Sequence, residues 1–297
     1  MEITLLDGGM GQELLARSGD KATPLWATQV MLDHPGIVRE IHADYFAAGA
    51  TVATTNTYAI HHDRLIRFGL DDRFAELHRA AAAQADEARR AHGAGRIAAS
   101  LGPLVASYRP DTCPEVADAA AKYAEIVAIL APHVDLFLCE TMSSLKQAEG
   151  ALAGAAAAGK PVWLSLTVDD ADGSRLRSGE PLAELAPLIA RYRPAAVLCN
   201  CSLPEAMTAA MAEVAKFGLP FGAYANGFTH ISADFLKDSP TVDTLEARQD
   251  LTPERYADFA MGWVGQGATI VGGCCEVGPA HIRALAEALR AAGHTIV

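Results

Sequence analysis

The stretch Ala195-Ala196-Val197-Leu198-Cys199-Asn200-Cys201-Ser202 is apolar without a break as far as Cys199 and turns polar at Asn200. A strand with one wet face alternates apolar and polar residues, whereas an unbroken run marks a strand covered on both faces, as parallel strands beneath helices are. Runs of the same kind, ending in polar residues or glycine, occur at Ile3 to Asp7, Thr51 to Asn56, Arg96 to Leu101 and Val134 to Glu140. Others lie at Val162 to Val168, Phe221 to Asn226 and Thr269 to Gly272. The intervening stretches are rich in alanine and carry helical spacing: Val116, Ala120, Tyr123, Val127 and Leu130 share one face, as do Ile282, Leu285 and Leu289. Eight strand-helix units in 297 residues predict an α/β protein, a (β/α)8 TIM-type barrel that forms a single domain over residues 1–297.

Hydrophobic residues make up 51% of the chain and charged residues 20%, enough for a large core and far from the disordered range. The formal net charge of −12 and the lack of a basic run exclude nucleic acid as a partner. No apolar run approaches the roughly 18 residues that span a bilayer, and Met1-Glu2-Ile3-Thr4-Leu5-Leu6-Asp7 lacks the basic segment of a secretory signal. No membrane partner and a cytoplasmic location are therefore expected. The polar segment from Gly227 to Thr252, which contains Lys237-Asp238-Ser239-Pro240, reads as a long loop after the seventh strand. On a barrel such a loop lies at the catalytic end, as a lid or as a surface excursion.

Six cysteines stand at 113, 139, 199, 201, 274 and 275. In a long chain without a secretion signal, reduced thiols and metal or catalytic roles are expected rather than a disulfide framework. Gly272-Gly273-Cys274-Cys275 follows the apolar run of the eighth strand and precedes a helix opened by Pro279, and Cys201 occupies the equivalent point two strands earlier. Barrels build their sites at these strand ends, and closure brings the ends of strands six and eight near each other, so three thiolates can converge. Zinc favours sulfur, and a catalytic zinc keeps three protein ligands and one open position. Three thiolates leave the centre with a net charge of about −1, a poor activator of water but a good holder of a substrate thiol in nucleophilic, deprotonated form. Alkylation at sulfur is the chemistry that follows.

Cys113, Cys139 and Cys199 read as packing residues. Cys199, two residues before Cys201, is expected on the same strand face one layer deeper. His61-His62 reads as a solvated loop pair rather than as ligands. Asp7, followed by Gly8-Gly9, closes the first strand and Glu140 closes the fourth. Carboxylates there either bind a substrate ammonium group or cap a helix, and binding is the reading adopted for both.

These residues fall within longer motifs: Leu-Leu-Asp-Gly-Gly-Met-Gly at 5–11, Pro-Leu-Trp at 24–26, Ile-His-Ala-Asp-Tyr-Phe-Ala-Ala-Gly-Ala at 41–50, Thr-Thr-Asn-Thr-Tyr at 54–58, Glu140-Thr141, Asn200-Cys201-Ser202 and Gly-Gly-Cys-Cys at 272–275, with Pro279, His281 and Ile282 beyond. In them the sequence resembles the homocysteine S-methyltransferases over nearly its whole length. The resemblance implies a (β/α)8 barrel, Zn2+ on Cys201, Cys274 and Cys275, and homocysteine sulfur as fourth ligand during turnover. It also implies that Asp7 and Glu140 hold the amino-acid end of homocysteine, with the Gly8-Gly9 backbone near its carboxylate and Asn56 and Asn226 lining the mouth. One departure stands beside the metal: Glu276-Val277-Gly278 replaces the Gly or Arg then Thr-Thr common in the family, which leaves donor preference open.

Relatives of this kind take methyl from S-methylmethionine, S-adenosylmethionine, betaine or, in multidomain members, a corrinoid. The chain ends at Val297, soon after Cys275, so a barrel without corrinoid or folate modules is expected. An onium donor carries its own leaving group and needs no general acid, and Trp26, Tyr58 and Tyr224 are candidates to shelter its cationic methyl. A sulfonium donor is preferred to betaine. Two other readings stand: a barrel subunit served by a separate corrinoid protein, and a non-catalytic zinc or thiol sensor.

Overall fold

The computed structural model describes residues 1–237 and 241–297. Asp238, Ser239 and Pro240 of the long polar segment lie outside the described residues. Nine strands form one parallel sheet: β1 (Glu2–Leu5), β2 (Val52–Thr54), β3 (Arg96–Leu101), β4 (Leu136–Met142), β5 (Val162–Leu166), β6 (Ala196–Asn200), β7 (Phe221–Tyr224), β8 (Ile270–Val271) and β9 (Thr295–Ile296). The order runs β2 through β8 in sequence and then to β1, where Thr4 pairs Ile270 and Leu5 pairs Val271. Between β1 and β2, Leu6 bridges Val52, and backbone bonds run from Asp7 N to Val52 O and from Thr51 N to Leu5 O. The ring is closed, as eight parallel strands in a barrel require. β9 is the strand not anticipated. It pairs with Glu2 and Ile3 at the lower end of β1, and the Thr51 hydroxyl donates to Val297 O at 2.6 Å.

The barrel strands β1 to β8 bury both faces, in two different ways, whereas in β9 Thr295 is exposed and Ile296 half-buried. Leu6, just beyond β1, and Val52, Ala98, Leu138, Leu198 and Ile270 of the strands belong to one cluster, the packed barrel interior. Their neighbours Ala53, Ala99, Phe137, Cys139, Val197 and Cys199 join the larger core beneath the helices. Cys199 is thus a packing residue as expected, but on the helix side. Asn200 takes the inward place, and the chain leaves strand geometry at Cys201, whose φ is 53°, so period-2 alternation no longer relates Cys201 to Cys199.

Helices close the outer layer. The helix Phe74–His92 buries Phe74, Leu77, Ala81, Ala85 and Ala88 and ends at Gly93 in the left-handed conformation that glycine tolerates. In the helix Val116–Leu130 the buried stripe is Ala119, Tyr123, Ile126 and Leu130, so Tyr123, Val127 and Leu130 of the expected face are buried while Val116 and Ala120 lie at its edge. The helix Pro279–Ala291 buries Ile282, Leu285 and Leu289 as expected. No helix among the described residues is long and apolar enough to cross a membrane.

Candidate active site

The barrel interior changes character toward the strands' C-terminal ends. Ala98 is followed two residues on by Ser100, Leu138 by Glu140 and Leu198 by Asn200, so the inward face passes from apolar to polar at the mouth. All three polar side chains are buried, and buried polar groups need partners. Asn200 finds them in the Thr141 backbone N–H at 2.9 Å, the Thr141 hydroxyl at 2.8 Å and the Ser165 hydroxyl at 2.8 Å. Those bonds hold Thr141 at φ 62°, a strained conformation for a β-branched residue and of a kind that clusters at functional sites.

The three expected cysteines converge at this level. Their sulfurs all lie within 4.8 Å of one another. Cys201 N–H donates to Tyr224 O at 3.2 Å and Cys274 N–H to Ala225 O at 3.0 Å, so β7 serves as the spacer between the two cysteine-bearing strand ends. Cys201 and Cys274 are joined as a disulfide, with 5.8 Å between Cα atoms, and Cys275 is free. Cys113, Cys139 and Cys199 are also free, and the expectation of reduced thiols does not hold at the Cys201–Cys274 pair. The same Cα spacing suits a disulfide or two ligands of one metal ion, and the two states exclude each other because a metal binds thiolates. Burial pushes the Cys275 thiol up to about 12, with the nearby Glu276 and Glu140 charges adding to it. Without a cation that sulfur stays protonated.

Asp7 and Glu140 stand over the cysteines. Asp7 accepts from Thr54 N–H at 2.7 Å and the Thr54 hydroxyl at 2.9 Å; Glu140 accepts from the Ser100 hydroxyl and from Tyr224 OH at 3.1 Å. Burial nevertheless raises each carboxyl to about 7, and the Glu140 charge adds to the effect at Asp7. His42 Nδ1 is 3.9 Å from Asp7, yet burial lowers His42 to about 3, so it is neutral and supplies no counter-charge. Two desolvated carboxyls without a protein cation form a receptor for a cationic ligand.

Asp7, Glu140, the three cysteines, Gly8, Gly9 and Asn56 line one cavity. Gly9 is required there by close approach, since a Cβ would meet Cys274 O at 2.7 Å. Asn56 is fixed by a bond from its Nδ2 to Ala27 O at 3.2 Å. Asn226 is not on the cavity wall. It is buried in its own turn, where its Oδ1 accepts from Phe228 N–H at 3.3 Å. Glu276 also stands off the wall, its carboxyl raised by burial and by Glu13. The long segment after β7 contributes Phe228, Phe235, Val242 and Leu245 and so covers the mouth as a lid rather than running over the surface. His61 is wholly buried rather than solvated, and burial holds it neutral; His62 is half-exposed and pairs with Asp71 and Glu125.

Sequence reasoning missed Tyr108 and Gln12. Tyr108 enters the cavity from the loop after β3, with the Arg177 guanidinium 4.9 Å from its ring. Arg177 also donates to Thr167 Oγ1 at 2.8 Å and to Cys201 O at 3.3 Å. Gln12 lines the cavity with both amide atoms buried, and its side chain reaches the Cys275 sulfur, whose ionised form it favours. Neither lies in a run or pair with a local signature. Among the described residues seven non-glycines have positive φ, and four of them, Trp26, Tyr108, Thr141 and Cys201, line this cavity, a concentration of strain of the kind that clusters at functional sites.

The family profile described as homocysteine S-methyltransferase matches residues 4–289. The chain belongs to that family. It is 32% identical to the homocysteine S-methyltransferase of Escherichia coli (strain K12), over 96% of this chain and 94% of that protein. It is 28% identical to betaine--homocysteine S-methyltransferase 1 of Danio rerio, over 98% of this chain and 74% of that protein. The crystal structure of the homocysteine methyltransferase MmuM from Escherichia coli in its metallated form superposes with a TM-score of 0.81 at 29% identity, covering 97% of this chain and 96% of that one. An oxidized form of the same enzyme also gives 0.81, and an apo form 0.74. The cysteine cluster can hold a metal ion, and the two buried carboxyls line the same cavity.

Proposed function

We propose that this methyltransferase moves a methyl group from a small onium donor to the sulfur of L-homocysteine at a zinc ion held by Cys201, Cys274 and Cys275. The reading is carried by the convergence of three sulfurs within 4.8 Å beside two buried, uncompensated carboxyls. Zinc fits the donor set once the Cys201–Cys274 disulfide is reduced: a tetrahedral ion with Zn–S near 2.3 Å separates its sulfurs by about 3.8 Å, and Cys201 and Cys275 stand at 3.9 Å. When bound there, zinc supplies a position that keeps the substrate sulfur deprotonated yet nucleophilic.

The chain's own residues do the rest. Asp7 and Glu140 bind the homocysteine ammonium, which supplies the missing positive charge and draws both carboxyls into their ionised form. The Gly8-Gly9 backbone accommodates the substrate carboxylate, Asn56 extends that wall, and Asn226 steadies the turn after β7. Trp26, Tyr58, Tyr108, Phe228 and Phe235 enclose the space above the cysteines, exclude water and face a cationic methyl with ring electrons. In the transfer the homocysteine sulfur lone pair forms the new S–CH3 bond. The old bond's electron pair stays on the donor atom, so an onium cation and a thiolate become two neutral molecules, and no proton moves.

Zinc-loaded protein is to be assayed with homocysteine and, separately, S-methylmethionine, S-adenosylmethionine and betaine, following methionine. Methionine formation from a sulfonium is the expected result. A requirement for an added corrinoid protein, or no turnover with any onium donor, would overturn the reading, the latter in favour of a thiol sensor.

A further inference from the structure

A second cavity adjoins the reaction chamber. The two share Trp26, Tyr58, Ser107, Phe235 and Val242, while the cysteines, Asp7 and Glu140 line only the inner one. The shared wall is ordered by the Trp26 and Tyr58 rings, edge to face at 6.1 Å, and by the Tyr58–Ser107 hydroxyl bond at 2.7 Å. The outer cavity has different chemistry. Asp63 and Arg64, consecutive and half-buried, line it from the short helix His62–Leu65. Arg109 on its rim is already committed to Asp111, at 2.7 Å from both Nε and Nη2. Arg64 differs: among the described residues its guanidinium has no hydrogen bond or ion pair. Withdrawing a guanidinium from water without a partner is a cost that a ligand carboxylate would relieve. In a chain of net charge −12, a cationic group inside a cleft that shares a wall with the reaction chamber is placed for an anionic group of a substrate.

We propose that the outer cavity binds the α-amino-acid head of the methyl donor, with Arg64 on its carboxylate and Asp63 on its ammonium. The inference rests on the onium-donor reading above and selects within it. A donor anchored in the outer cavity must reach the aromatic wall, and a sulfonium joined to its amino-acid head by a short carbon chain does so. Betaine, with a single carbon between its nitrogen and its carboxylate, cannot occupy both places. S-methylmethionine and S-adenosylmethionine share the required arm, and the adenosyl group distinguishes them.

The test uses calorimetric binding to the zinc-loaded protein, which needs no turnover, with S-methylmethionine and its decarboxylated analogue, (3-aminopropyl)dimethylsulfonium. Wild type should prefer the carboxylated ligand by about tenfold or more, Arg64→Met should lose that preference, and Arg64→Lys should recover part of it. Asp63→Asn should weaken both ligands, since both carry the ammonium. Parallel titrations with S-adenosylmethionine identify which sulfonium the cavity admits. Equal binding of the two ligands by wild type, or a preference retained in Arg64→Met, overturns the proposal. So does turnover with betaine alone, which would leave the proposed methyl transfer standing, whereas failure of every onium donor would remove that reading as well.

Discussion

The sulfur of Cys201 lies 3.9 Å from that of Cys275 across 74 residues of sequence, about the edge of a sulfur tetrahedron around zinc. Neither residue reaches this position by strand geometry. Cys201 turns away from β6 with φ 53°, and Cys275 follows β8 by way of two glycines. Cys275→Ser should therefore lower bound zinc per chain, measured by elemental analysis after dialysis, and cut methyl transfer by more than about 100-fold. Cys113→Ser, on the half-buried rim of another loop, should change neither. Full zinc retention in Cys275→Ser would remove that residue from the metal site.

Gly9 packs against the cysteine turn so closely that an added methyl would stand 2.7 Å from Cys274 O and 3.1 Å from Cys275 Cα. Gly9→Ala should displace that turn and weaken zinc about 10- to 100-fold while the far-ultraviolet circular dichroism stays native. Unchanged metal affinity would mean that the turn can yield.

Tyr224 OH donates to Glu140 at 3.1 Å and so favours its carboxylate form. Tyr224→Phe should raise the Glu140 carboxyl further above 7 and increase the KM for homocysteine roughly tenfold near neutral pH, an effect that fades in alkaline buffer as the carboxyl ionises. A loss independent of pH would point to packing instead.

Asp7 is raised from 3.8 to about 7. The folded protein therefore holds a proton that the unfolded chain releases near pH 4, and this contribution to stability is complete below about pH 4 and is lost as pH rises through 7. At about 1.4 kcal/mol per unit, the loss is at most about 4 kcal/mol. Urea denaturation of the metal-free, ligand-free protein should show stability falling from pH 5 to 7.5, less steeply in Asp7→Asn. Homocysteine should flatten the wild-type profile, since its ammonium stabilises the ionised form. Identical slopes for wild type and Asp7→Asn would refute the assignment.

The eight barrel strands were legible because both of their faces are apolar, and the cysteines because glycines and a strand end frame them. Asp7 and Glu140 were legible as the first polar residues after apolar runs, and the structure adds that no charged group among the described residues compensates them. β9 was not legible, since a two-residue strand has no periodicity of its own. Cys199 faces the helices although Cys201 faces the site, because the two-residue repeat ends where Cys201 leaves strand geometry. Asn226 looked equivalent to Asn56 at a strand end, but a side chain there can face the mouth or its own turn, and Phe228 N–H draws it into the turn.

By itself the sequence determined the barrel, the end that carries the chemistry and the residue types gathered there, because periodicity and strand-end polarity are local properties of the chain. Only the tertiary structure decided which side chains share a cavity, that His42 is too buried to neutralise Asp7, that the polar segment after β7 roofs the site, and that Tyr108 and Gln12 belong to it. Those outcomes depend on burial and on distances across the closed ring, and such quantities exist only once β1 has met β2.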